Sequence, residues 1–130
     1  MSRLRLFYHV VWATRGREPL ITPALEPHIH RHLRTVAQRH GILVHAVGGI
    51  ADHVHLAITL PGTLAISLAI QRIKGGSSRA INAEFGLAFG WQTDFNADTF
   101  SERHLPQVVA YIERQHEHHA ASSLWPEIEP

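Results

Sequence analysis

The 130-residue sequence contains no cysteine. That removes disulfides, thiolate zinc sites and cysteine nucleophiles at once. A strong charge of either sign is also missing: Lys and Arg number 12 against 11 Asp and Glu, giving a net charge of +1 and a pI near 8.4. Such a balance leans only weakly toward a polyanionic partner. The apolar runs are too short to cross a bilayer, and no basic start precedes a greasy signal segment, so a soluble cytoplasmic protein with no membrane partner is expected. No internal repeat and no dividing linker is visible. One domain over 1–130 is expected, with "ASSLWPEIEP" as a tail from about 121–130. A chain of this length should bury roughly two thirds of its unfolded surface without a covalent staple.

What is present is 45% hydrophobic residues and 12 histidines. Leu4, Leu6, Tyr8, Val10 and Trp12 alternate with Arg3, Arg5, Phe7, His9 and Val11, the period of a strand. Thr22-Pro23 offers a capped helix start, Leu25, Ile29, Leu33 and Val36 continue at helical spacing, and Gly41 marks the end. A short strand over Ile42–Val47, a Gly48-Gly49 turn and a third strand over Ile50–Leu60 follow, stopped by Pro61-Gly62. A helix is predicted from Leu64 to Ile73, interrupted by "KGGSSR" and resumed through Ala80 to Phe85. A weak strand near Ala97–Phe100 and a last helix from Leu105 to His119 complete the order. The fold class is α+β: a ferredoxin-like antiparallel sheet with helices on one face, and an additional C-terminal helix that carries Tyr111.

Within "IADHVHLAIT", residues 50–59, side chains alternate between the two faces of a strand. Val54, Leu56, Ile58 and Leu60 form one wholly apolar face, and His53, His55, Ala57 and Thr59 form the other. Two imidazoles at i and i+2 on a strand can converge on one divalent ion. His28 with His30 and His116 with His118 repeat the spacing on predicted helices, where the side chains diverge by about 200° and cannot share an ion. In a histidine-rich chain, a chance pair is the competing explanation.

In "VVAYIERQHEHH", residues 108–119, Leu105, Val108, Val109 and Ile112 form an apolar stripe. Tyr111 and Gln115 lie four residues apart at its edge, with His118 on the same flank. A tyrosine in such a place commonly does no more than pack. The chain has two tyrosines, and Tyr8 sits on the core face of the first strand, so Tyr111 is the candidate nucleophile. Basic residues gather in two places, Arg3, Arg5, Arg15 and Arg17 around the first strand, and Arg72, Lys74 and Arg79 around the glycine-serine segment.

Taken in order, "YHVVWATRGRE", "ADHVHLAI", "RIKGGSSRAIN" and "VVAYIERQHEHH" resemble the single-tyrosine HUH transposases of small insertion sequences, nearest to the REP-associated branch. The resemblance implies His53, His55 and Gln115 as ligands of a divalent metal, Mg or Mn. It implies Tyr111 as the nucleophile that cleaves single-stranded DNA through a 5′-phosphotyrosine link, a homodimer, and a hairpin or single-stranded DNA partner. It also implies a nucleoid-associated place in the cytoplasm. Arg15, Arg17, Arg72, Lys74, Ser77, Ser78 and Arg79 then become candidate DNA contacts, with Trp12 or Trp91 as a surface for a base. This chain departs from many relatives in having Ile50-Ala51 before the Asp-His pair, and in its "DFNADTFSERH" stretch. Two other readings stand beside the enzyme: a catalytically silent hairpin-binding module of the same fold, and a small metal-capturing protein. A pure binder has no need of Tyr111 with Gln115, and ion capture has no need of a distant glutamine.

Overall fold

The computed structural model describes residues 5–117, and in it four strands and three α-helices follow the expected order. They are β1 (Phe7–Ala13), α1 (Glu26–Arg39), β2 (Leu43–Ile50), β3 (His53–Thr59), α2 (Ile66–Phe85), β4 (Asn96–Phe100) and α3 (Leu105–Glu113). The strands form one antiparallel sheet in the order β2-β3-β1-β4, as expected of a ferredoxin-like sheet. The expected tail, and the predicted end of the last helix at His118 and His119, lie outside the described residues.

Alternation along the strands divides the buried side chains between two layers. Val10 and Trp12 of β1 and Val54, Leu56 and Ile58 of β3 pack with Ile29 and Leu33 of α1 and Ile70, Ile73 and Ile81 of α2. On the other face, Ala46 and Ala57 meet Val108 and Ile112 of α3. The alanines keep that face low, so the helix can lie close to the sheet. His9, His53 and His55 belong to this second face and are buried with it. Among the described residues, no helix is long and apolar enough to cross a membrane.

Two expectations are corrected by the structure, both at paired glycines. Gly48 and Gly49 do not form a turn; they continue β2, and the hairpin turns at Ala51 and Asp52. A Cβ on Gly48 would fall 1.9 Å from the carbonyl oxygen of Ile112, so this glycine is where the α3 backbone rests on the sheet. "KGGSSR" does not interrupt a helix either, because α2 runs unbroken from Ile66 to Phe85. A Cβ on Gly76 would meet the Val36 side chain at 2.6 Å, so its absence lets α1 and α2 approach each other. Smaller shifts occur at helix starts. α1 begins at Glu26, yet the backbone amides of Leu25 and Glu26 donate to the Thr22 carbonyl and that of Leu25 also to its hydroxyl, a cap on the turn leading into the helix.

Candidate active site

His53 and His55 stand on the central strand β3, 1% and 0% exposed, with ring centroids 5.1 Å apart. Each ring is held at its Nδ1 edge. The Nδ1 of His53 is 2.8 Å from Oδ1 of Asp52, in the turn just before it. A carboxylate oxygen accepts, so Nδ1 is the donor in this contact. Oδ2 of the same Asp52 lies 3.8 Å from the guanidinium of Arg17. The Nδ1 of His55 is 2.9 Å from Nε2 of His9, on the adjoining strand β1.

From the final helix, Tyr111 closes over these rings. It is 3% exposed, and its ring centroid is 6.0 Å from that of His55 and 6.2 Å from that of His9, both edge-on. The helical ladder ends at Glu113, a turn at Arg114 follows, and Gln115 comes after it. Tyr111 and Gln115 are therefore not on one straight helix. The amide of Gln115 reaches back instead, donating to the Tyr111 carbonyl at 3.3 Å. Gln115 is 1% exposed, and its Oε1 has no hydrogen-bond partner among the described residues. It lines a cleft of about 350 Å³ with Gly48 and Gly49, whose cross-strand partners are His55 and Val54.

The donor set can be tested for a metal on this geometry. Among the described residues, no three His, Asp or Glu side chains converge into a cage. Within the same residues a donor of another kind is at hand, the buried Gln115 oxygen, which has no partner there. Two imidazoles whose Nδ1 edges are engaged, with a neutral amide oxygen, fit a divalent ion.

His30, on α1, lines the same cleft as Gln115 and lies 3.9 Å from Glu26. Burial pushes its imidazole below the ordinary histidine value, Glu26 partly offsets this, and Arg34 and His116 add to the lowering. His116 itself sits 2.9 Å from Glu26, tying the residues just after α3 to α1.

The basic residues separate into two kinds. Arg15 and Arg17 are exposed on the turn after β1, Arg15 donating to the Ala88 carbonyl at 2.7 Å. Arg72 and Arg79 are exposed along α2 and line a cleft of about 390 Å³ with His40, Gly75 and Gly76. Lys74 and Ser77 are engaged within the protein. Lys74, the single lysine of the chain, donates to the carbonyls of Gln92, Thr93 and Asp94 at 2.7, 3.2 and 2.8 Å and lies over the Trp12 and Phe95 rings. Burial lowers its amine to a pKa of about 8, against the raising effect of Asp94. Ser77 is fully buried, its hydroxyl donating to the Lys74 carbonyl and accepting from Trp91 Nε1. Ser78, half-buried, donates to the Gly75 carbonyl. Trp12 is 1% exposed in the core and cannot stack a base.

Asp52 and His9 were not singled out by sequence reasoning. Asp52 had a signal, an acid abutting the histidine pair. His9 had a fainter one: it falls on the face of β1 opposite Val10 and Trp12, but only the pairing of β1 with β3 sets it beside His55.

Known proteins bear on this arrangement. The family described as Transposase IS200 like matches residues 2–115. The ISDra2 transposase TnpA of Deinococcus radiodurans is 28% identical over 120 residues, covering 87% of this chain and 86% of that protein. A crystal structure described as a candidate transposase from Deinococcus radiodurans R1 superposes with a TM-score of 0.70 at 26% identity, covering 88% of this chain and 98% of the other. A REP-associated tyrosine transposase bound to a REP hairpin shares the fold, with a TM-score of 0.64 at 19% identity, covering 96% of this chain and 76% of the other. The family match spans every strand and helix described above, and the chain belongs to the IS200-like transposases.

Proposed function

We propose that this transposase cleaves and rejoins single-stranded DNA, with Tyr111 as nucleophile and His53, His55 and Gln115 as ligands of a divalent ion, Mg or Mn. The observation that carries the reading is the meeting of Tyr111 and His55 across the space between α3 and β3, with the buried Gln115 oxygen, which has no partner among the described residues, one turn beyond.

Tyrosine is a weak nucleophile at neutral pH, its ordinary pKa being near 10. When bound, a divalent ion would neutralise phosphate charge and stabilise the departing 3′ oxygen. Neutral imidazole and amide ligands leave its full charge available for that. Tyr111 gives up its phenolic proton as its oxygen bonds to phosphorus. The bond from phosphorus to the 3′ oxygen breaks, and that oxygen takes up a proton to become a hydroxyl. Reverse attack by a 3′-hydroxyl releases the tyrosine, and the bond energy is conserved without nucleotide hydrolysis.

A cleft beside the histidines supports a route for the strand there. A cleft of about 220 Å³ is lined by Val11, Ala13, Arg17, Gln92, Phe95 and Asn96 among others. Val11 and Ala13 are the cross-strand partners of His55 and His53. Arg15 and Arg17 would hold backbone phosphate at this end of the sheet, and Arg72, Arg79 and Ser78 would hold a hairpin stem on the opposite layer. The hairpin in the related REP-associated complex supports this choice of partner. A homodimer is part of the same reading, and β4 is an outer, exposed strand of the sheet among the described residues, a place where a second copy could add.

The test is covalent capture. Labelled single-stranded hairpin DNA with Mg or Mn should yield a protein–DNA adduct stable to denaturation, and Tyr111→Phe should abolish it while hairpin binding persists. An adduct formed by Tyr111→Phe would refute the nucleophile. Hairpin binding without any adduct from the unaltered chain would leave a silent DNA-binding module.

A further inference from the structure

Resting on the metal reading above, we propose that His9 is a positioning residue: its Nε2 accepts a hydrogen bond from Nδ1–H of His55 and thereby fixes Nε2 of His55 as the atom offered to the metal. The two histidines of the pair each need their Nδ1 protonated, because only then does Nε2 carry a lone pair. His53 is given this by Asp52, an acceptor that cannot donate. At the Nδ1 of His55 stands another imidazole, 2.9 Å away.

Two tautomeric arrangements satisfy that contact. In one, His55 donates and the lone pair of its ring lies on Nε2, the form that can coordinate a metal. In the other, His9 donates from Nε2, and the proton of His55 sits on its own Nε2, where it blocks coordination. Geometry explains how the chain can hold the pair at all: β1 and β3 are adjacent antiparallel strands, and His9, opposite Ala57, lies diagonally one pair from His55, opposite Val11. Both histidines are buried, 3% and 0% exposed, with the Tyr111 ring against both. The small Ala57 leaves room for the His9 ring to lean along the sheet toward His55. A buried imidazole pair is a costly thing to keep unless its polar edges are matched. Partners of this kind orient ligand rings, and their loss typically weakens metal binding by about 10–100-fold.

The experiment uses the full chain without DNA. Long-range proton–nitrogen NMR on the metal-free protein, at a pH where both rings are neutral, should show His55 protonated at Nδ1. Finding it protonated at Nε2 in the unaltered protein overturns the proposal with no variant required. Mn²⁺ titration followed by electron paramagnetic resonance then compares His9→Phe, which keeps the ring but offers no acceptor, with His9→Gln, whose amide oxygen can stand where Nε2 stood. His9→Phe should weaken Mn²⁺ binding by about 10–100-fold, and His9→Gln should restore most of it. Equal loss in both, or no loss in His9→Phe, overturns the role. His55→Ala separates this from the underlying reading. If His55→Ala binds Mn²⁺ like the unaltered chain, the metal assignment of the pair fails. If it loses Mn²⁺ while His9→Phe does not, only the role of His9 fails.

Discussion

The ring of Tyr111 stands edge-on to that of His55, centroids 6.0 Å apart and planes at 73°, within a single chain. A helix nine residues long thus brings a phenol from one layer onto an imidazole at the centre of the sheet. The contact ties two separable things together: Tyr111 is a packing residue, 3% exposed, and also the proposed nucleophile.

Substitutions at Tyr111 should pull those roles apart. Tyr111→Ala removes a buried ring and is expected to lower stability by about 3–5 kcal/mol. Tyr111→Phe keeps the ring and loses a hydroxyl, for about 0.5–1.5 kcal/mol. Urea unfolding of both variants measures this, and neither should give a DNA adduct. A Phe variant that unfolds as easily as the Ala variant would mean that the hydroxyl, rather than the ring, secures α3.

Gly48 and Gly75 predict opposite outcomes for the same change. A methyl on Gly48 would lie 1.9 Å from the Ile112 carbonyl, and backbone cannot yield as a flexible side chain does. Gly48→Ala should therefore lift α3 from the sheet, at about 1–3 kcal/mol or more, and abolish adduct formation by displacing Tyr111. Gly75 has nothing within 4 Å of its would-be Cβ and lies inside α2. Gly75→Ala should raise stability by about 0.5–1 kcal/mol through helix propensity. Denaturant midpoints, with amide exchange in residues 105–113, check both.

The same glycines explain what could be read from the sequence and what could not. Period-two alternation marked β1 and the two faces of β3, because a strand must present one face to a core whichever partner it finds. The α3 stripe of Val108 and Ile112 was visible for the same reason. Gly48-Gly49 and Gly75-Gly76, by contrast, read as breaks because glycine is permissive locally. Their actual reasons, the Ile112 carbonyl above one pair and Val36 beside the other, belong to segments far off in the chain. That Lys74 and Ser77 hold the segment 91–94 was not legible, because the contact joins residues distant in the chain. His9 needed the β1–β3 register. The proposed site residues were readable as residue types at a spacing; the groups that orient them were not.

Acid sensitivity should originate partly at His30 and His45. Burial lowers the pKa of both, with Glu26 partly opposing it at His30. A base whose folded-state pKa lies below its unfolded value of 6.5 binds its proton more readily in the unfolded chain. Stability is therefore complete above that value, and falls as pH drops through it toward the folded-state pKa. The double variant His30→Gln, His45→Gln should show a shallower loss of melting temperature below pH 6.5 than the unaltered chain. An unchanged slope would place the acid sensitivity elsewhere.

Arg72 and Arg79 provide the sharpest separation of binding from chemistry. They project from α2, which packs on the face of the sheet opposite α3, so their removal leaves the Tyr111 layer untouched. Seven residues apart, they lie about two turns from each other on one side of the helix, so both can face the backbone of one stem. If each meets one phosphate, Arg72→Ala and Arg79→Ala should each weaken hairpin binding and reduce the slope of log affinity against log salt by about 1. The adduct formed per bound hairpin should stay constant. Arg31 is the internal control: it is also exposed on this helical layer, but its guanidinium already pairs with Glu84 at 2.9 Å. Its charge is locally neutralised, so Arg31→Ala should leave the salt slope nearly unchanged. A slope that falls equally for all three would indicate a diffuse electrostatic attraction, and the α2 cleft would lose its claim to the hairpin.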